Sequence, residues 1–343
     1  MRKYLFIITA VFFLSLSIPC TAFSNNLTGI TTGIGFLELG AGAKELGMGN
    51  AVTSIAGHCA GMIYWNPAAI AALRRKEISL MHSYYLGEFS YDCAAFVIPS
   101  RYGVFGGAFQ YFSRGKHERE NNENRNPSSV FFNCDSAIYL SYGKYYRFND
   151  LNKLNYGLNL KYIYSKIDNS LRQLLAADMG FIYSIENDVM SFGFVIQNLG
   201  VKSKKEGLLP LNFKLGASRY LFDSFLISAE VVLFPYNNKI FPAVGGQYMI
   251  GINNETSVIL RTGYNGQETN SAFFSGFNAG FGVKYRNIMI DYSFSPYGRL
   301  GIAHRVSIGI KFGKNYADNA NAKMRGQTRK NLSKFRNIVR EEK

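Results

Sequence analysis

The sequence predicts an all-β protein, a transmembrane antiparallel β-barrel of about 14 strands closed around an N-terminal segment rich in glycine and alanine. Three observations predict it. Across residues 76–312, apolar residues alternate with polar or small ones at period two, as in strands that meet a greasy solvent on one face only. The alternating segments number about fourteen, an even count that brings both ends of a barrel back to one rim. Their connections are short after even-numbered segments and mostly longer after odd-numbered ones, the asymmetry of a barrel with periplasmic turns and outer loops.

The chain divides into four parts. Residues 1–24 read as a secretory signal: Arg2 and Lys3 precede an apolar run from Tyr4 through Ile18, and Ala22, Phe23 and Ser24 supply a small-x-small cleavage site. That run is too short to span a bilayer, and no later run of apolar residues is long enough for a membrane helix. Cys20 would suit a lipoprotein signal, but Pro19 directly before it does not.

Residues 25–75 form the second part, and within it residues 36–73 (FLELGAGAKELGMGNAVTSIAGHCAGMIYWNPAAIAAL) read unlike everything after them. Small residues such as Gly40, Gly42, Gly47, Gly49, Gly57 and Gly61 allow tight bends and close approach to other surfaces. Short helical turns are expected near residues 43–48 and after Pro67, where Pro fits a first turn and alanines follow. A barrel of this strand count has a lumen that must be filled or become an aqueous pore, and this segment has about the right size to fill it.

The third part, residues 76–312, is the barrel. Strands are expected near 76–84, 89–98, 102–113, 134–148, 155–167, 174–186, 189–198, 211–222, 225–234, 240–250, 255–264, 273–286, 287–295 and 302–312. The clearest alternation sets Tyr156, Leu158, Leu160, Tyr162 and Tyr164 against Gly157, Asn159, Lys161, Ile163 and Ser165. Residues 114–133 are expected as the longest polar loop, a solvated surface or a contact surface for a partner. Residues 103–107 and 241–246, rich in glycine or holding proline, are where a wall strand could loosen. Residues 313–343 form a basic tail on the periplasmic side, an irregular or partly helical extension or a contact for periplasmic material.

Charge and cysteines narrow the function classes. Of the net charge of +15, Arg2 and Lys3 supply +2 and residues 314–343 supply +6, leaving +7 on the body. No nucleic-acid-binding motif accompanies that surplus, so nucleic acid is not an expected partner. Beyond the signal, Cys59, Cys93 and Cys134 are too few and too irregularly spaced for a disulfide framework or a metal site; buried or lipid-facing thiols are expected, a Cys59 to Cys93 bridge being the alternative. The four histidines are scattered, and neither a nucleophile elbow nor a phosphate loop occurs, so no catalytic residue, metal or cofactor is expected.

Two patches carry a family resemblance. The run from Gly42 to Ala51, followed by Tyr64, Trp65, Asn66, Pro67 and Ala68, resembles the N-terminal hatch of FadL-type outer-membrane transporters, and the YWNPA sequence is similar to the PorV/PorQ-like branch. Residues 291–312, with Asp291, Tyr292, Pro296, Gly298, Leu300, Gly301, His304 and Arg305, resemble the last hairpin of that branch. The resemblance implies an outer-membrane protein of a diderm bacterium that passes long-chain fatty acids or other hydrophobic molecules, with outer-membrane lipid around it. Under it, Asn66, Pro67 and Ala68 are the hatch motif, Asn66 holding the plug to the wall. From the residues alone, Asn66 and Pro67 are also the cap and first turn of a helix. Leu208 and Leu209 become a possible ligand-landing loop, with packing as their other role, and His304 becomes structural. The closer branch implies a different task, a barrel that partners a protein secretion and surface-attachment system.

Overall fold

The computed structural model describes residues 34–85, 89–120, 127–167, 170–186, 188–200, 209–222, 224–236, 238–268, 275–297 and 301–316. The expected signal, residues 25–33 and most of the basic tail lie outside the described residues.

Each strand pairs antiparallel with its neighbours in sequence. They are β1 (Lys76–Tyr85), β2 (Phe89–Pro99), β3 (Val104–Glu120), β4 (Pro127–Arg147), β5 (Lys153–Ile167), β6 (Ser170–Ile185) and β7 (Met190–Gly200). Then come β8 (Asn212–Leu221), β9 (Phe225–Phe234), β10 (Lys239–Gly251), β11 (Thr256–Asn265), β12 (Phe277–Tyr285), β13 (Ile288–Pro296) and β14 (Ile302–Phe312). Pairing of β1 with β14, from Lys76 opposite Phe312 to Tyr84 opposite His304, closes the barrel. Closure leaves no edge with unpaired backbone, which is what lets a sheet stand in lipid.

The alternation sorts the faces. On β5, Leu158, Leu160 and Tyr162 point out and are exposed, whereas Asn155, Asn159, Lys161 and Ile163 point in and are buried. The same holds on β14, where Val306, Ile308 and Ile310 face out and Ala303, Arg305 and Ser307 face in. An apolar exterior around a polar interior is the reverse of a soluble barrel.

One rim carries the hairpins 100–103, 148–152, 186–189, 222–224, 252–255 and 286–287, together with the start of β1 and the end of β14. Uniformly tight turns mark it as the periplasmic rim. At the opposite rim, residues 114–133 are not the expected loop: β3 runs to Glu120 and β4 starts at Pro127, with a register shift between Ser113 and Lys116. A polar segment stays extended there because the neighbouring strand supplies its backbone hydrogen bonds. Residues 170–173, expected in a loop, likewise belong to β6. Residues 104–107 and 243–246 are paired on both sides, whereas Phe241 and Pro242 pair with β9 alone.

Residues 34–75 lie inside, as a plug of bends and short turns. A 3-10 turn (Gly35–Glu38), α1 (Ala43–Leu46), α2 (Met62–Trp65) and a second 3-10 turn (Pro67–Ala72) are its regular pieces. Leu46, Met48, Met62, Ile63, Trp65 and Ile70 are fully buried and join inward wall residues in one apolar cluster. Cys59, Cys93 and Cys134 are free, so the alternative Cys59 to Cys93 bridge is not formed; the Cys59 thiol donates instead to Glu45 Oε1 at 3.0 Å.

Candidate functional site

The YWNPA run is where the plug is tied together. Tyr64 accepts from Gly40 N at 3.1 Å and donates to Leu37 O at 2.7 Å, and Trp65 Nε1 donates to Ala41 O at 2.7 Å. Asn66, wholly buried, does two jobs with one amide. Its Oδ1 accepts from Ala68 N at 3.0 Å, capping the turn that Pro67 opens. Its Nδ2 donates to Thr53 O at 2.7 Å and to Phe181 O on β6 at 3.4 Å, reaching both plug and wall.

An irregular buried segment leaves backbone groups that no helix or sheet pairs, and each needs a partner. Polar residues on the inward face of the wall supply them. Glu230 Oε2 accepts from Val52 N (3.1 Å) and Thr53 N (2.9 Å), Ser307 Oγ accepts from Ala43 N (2.8 Å), and Glu77 Oε1 accepts from Ala60 N (3.1 Å). Asn159 Nδ2 donates to Ile63 O at 2.8 Å, and Gln197 Nε2 donates to Tyr64 O at 2.6 Å and Trp65 O at 3.1 Å. Sequence reasoning set Asn159 on the face opposite the apolar row but assigned none of these side chains a contact with the plug. The available signal was a hydrogen-bonding residue at an inward position of an otherwise apolar strand.

Close approach is made by glycines in register. Gly143, Gly157 and Gly180 sit opposite one another on β4, β5 and β6, and Pro67 to Ile70 lie across them. Farther round, Gly193 meets Ser54, while the paired Gly245 and Gly263 meet Met48. Only a residue without a side chain lets one backbone lie directly on another.

Among the described residues, two ion pairs in the wall have both partners buried. Lys161 Nζ lies 2.7 Å from Asp178, and Arg261 Nη1 lies 2.7 Å from Asp291. Asp178 also accepts from Asn159 Nδ2 and from the backbone N of Asn198, whose left-handed φ of 62° accompanies the bulge between Ala177 and Met179. Lys214 stands over the Trp65 ring at 4.6 Å. On the outer face, His304 Nδ1 and the Tyr292 hydroxyl share a hydrogen bond of 2.7 Å.

At β1 to β3 an outer groove and an inner void lie on the two faces of the wall. Outside, an apolar groove of about 370 Å3 runs over Leu80, Phe109, Val306 and Ile308. Inside, against the plug at Ala41, Gly61 and Tyr64, lies a void of about 20 Å3. The two share Met81, Cys93, Ala94 and Phe109, and Ala95 and Ala108 line the inner one, so small side chains make much of the partition. Of the expected landing loop, Leu208 lies outside the described residues, and Leu209 is 6% exposed and part of the apolar cluster.

No family model and no curated protein matches the sequence. Solved structures do match in fold. They include the Pseudomonas putida toluene transporter TodX, at 13% identity and TM-score 0.51 over 82% of this chain and 98% of that one. The CymD monoaromatic hydrocarbon channel matches at 12% identity and TM-score 0.51, over 80% and 98%. A Pseudomonas aeruginosa FadL homologue matches at 12% identity and TM-score 0.49, over 80% and 98%. At such identities the likeness is one of fold. With its apolar exterior and closed ladder, this barrel is a protein of the outer membrane of a Gram-negative bacterium.

Proposed function

We propose that the protein passes a hydrophobic molecule through the outer membrane by diffusion, with the plug as the element that shifts to let it by. The observation that carries this reading is the paired apolar groove and void on the two faces of the alanine-lined wall at β1 to β3. A molecule leaving the lumen there exchanges one apolar surface for another and meets lipid without crossing water. The fold shared with a toluene transporter and a monoaromatic hydrocarbon channel supports the same reading. Long-chain fatty acids and small hydrocarbons are the two cargo classes it admits. Under it, Asn66, Pro67 and Ala68 are the hatch motif, and the segment holding Leu208 and Leu209 is where cargo first lands.

The test is uptake of labelled oleate and of toluene into vesicles carrying the protein, beside an Ala108→Phe variant that thickens the partition. Entry of one of them, slowed in the variant at unchanged folded yield, is the expected outcome. No uptake of either, with no binding by calorimetry, overturns the reading.

A second reading, a PorV-like partner of a secretion and surface-attachment system, has one observation in its favour. β3 and β4, at 17 and 21 residues, are longer than the 10 or 11 residues of β7 to β9 and extend the wall at the outer rim. Recovery of exported proteins with the full chain, lost when residues 114–133 are shortened, would establish it; recovery of none would remove it.

A further inference from the structure

On the periplasmic side of the plug the lumen holds a second, polar cavity of about 330 Å3. Six basic side chains line it, Lys44, Arg75, Arg261, Lys284, Arg286 and Lys311, against the carboxylates of Glu45, Glu77 and Asp291. The carboxylates are already engaged. Asp291 accepts from Arg261, Glu77 from Ala60 N with Lys311 Nζ at 3.7 Å, and Glu45 from the Cys59 thiol. Arg286 pairs with Glu255 at the rim. Lys44, Arg75 and Lys284 form no ion pair among the described residues.

Among the described residues, two buried nitrogens in the lining have no hydrogen-bond partner, Arg261 Nη2 and His58 Nε2. The Arg261 side chain is 1% exposed. A buried donor left unpaired is unfavourable, and a guanidinium edge with a free N–H is a strong receptor for a planar oxyanion. Lys44 Nζ, which donates to His58 O at 3.0 Å, brings a further charge to the same wall. Burial pulls its ammonium below the ordinary value and pushes the Glu45 carboxyl above, so an arriving anion would strengthen the charged form of the lysine. The rest of the lining includes Ile55, Met249, Ile259 and Met289, an apolar side suited to a chain.

We propose that this cavity is an oxyanion site at the periplasmic mouth of the lumen, with Arg261 Nη2, His58 Nε2 and Lys44 Nζ as its donors. Its ligand is either the carboxylate of an amphiphile arriving past the plug or a free phosphate. The first source deepens the uptake reading and rests on it, selecting anionic amphiphiles over neutral hydrocarbons as cargo. The second does not depend on it.

The experiment is calorimetric titration of the full chain, in a neutral detergent, with decanoate, decanol and inorganic phosphate at low and high salt. Arg261→Gln would strand Asp291 and can unfold the barrel, so the variant of choice combines Lys44→Met with Lys284→Gln. Decanoate should bind about tenfold more tightly than decanol at low salt. That preference should shrink at high salt and vanish in the double variant, decanol being unaffected. Phosphate binding that disappears in the same variant, with no preference for decanoate, assigns the site to free phosphate. Equal binding of decanoate and decanol with no phosphate binding overturns the proposal, as does a preference that survives the double variant. If decanoate and decanol both fail while phosphate binds, the uptake reading falls and the oxyanion site stands.

Discussion

Asn66 on the plug and Gly180 on the wall use one space: a β-carbon on Gly180 would lie 2.9 Å from Asn66 Cγ and nearer still to its Oδ1. The amide that caps the Pro67 turn is therefore seated against bare backbone, and its Nδ2 can reach Phe181 O on the same strand. Gly180→Ala should displace the plug at this point and cost about 1–3 kcal/mol, the range for overpacking a fitted interior. Gly246→Ala, where the nearest atom to a new β-carbon is 3.8 Å away, is the control. Thermal unfolding in detergent should separate the two; equal loss would mean that the glycine register is incidental.

Asn66→Ala removes the cap and both donated hydrogen bonds and leaves Thr53 O with one partner fewer. A loss of about 1–2 kcal/mol is expected from the cap. Single-channel recording in planar bilayers should then show more frequent open events than in the unaltered barrel. Unchanged conductance would show that the motif does not hold the plug shut.

Lys161→Met leaves Asp178 in the wall without its cation, the two side chains being 2% and 0% exposed. Breaking a buried pair by removing one partner costs about 3–5 kcal/mol. Asn159 and the Asn198 backbone still donate to Asp178, so the lower end is expected. Replacing both members, Lys161→Met with Asp178→Leu, should recover part of the loss, as the unfolding temperature of the double variant will show.

Acid should loosen the plug through His58. Burial, then the charges of Lys44, Arg261 and Lys311, holds its imidazole well below the ordinary 6.5. The unfolded chain binds this proton more readily than the folded one, so the contribution to stability is present above pH 6.5 and is lost as pH falls below it. Limited proteolysis of the plug should accelerate on acidification below that value, and His58→Gln should flatten this dependence.

Cys59 offers a direct reporter of plug movement. Burial, with the Glu45 carboxyl beside it, pushes its thiol well above the ordinary value and suppresses the reactive thiolate. Maleimide should label it slowly at neutral pH in the unaltered protein and faster in Asn66→Ala, read on a variant whose other cysteines are serine. Labelling at the same rate in both would mean that Asn66 does not govern access to the plug.

Strand number and the choice of face were legible from periodicity alone, because lipid outside and a polar-lined lumen inside impose the same alternation on every strand. Rows such as Leu158, Leu160 and Tyr162 state that rule locally, with no need of the partner strand. Residues 114–133 were not legible in the same way, since a polar stretch is loop or ribbon according to whether a neighbour continues to pair with it.

The chain order thus determined a barrel with an apolar outside and a small-residue plug, both being properties of composition and period. Tertiary structure alone decided which polar side chains meet the plug and that Gly143, Gly157 and Gly180 line up beneath it. It alone placed Lys44 and His58 of the plug in one cavity with Arg261 of the wall. The reason is register: residues far apart in sequence become neighbours only when hydrogen-bond ladders fix their relative heights, and no local pattern records that offset.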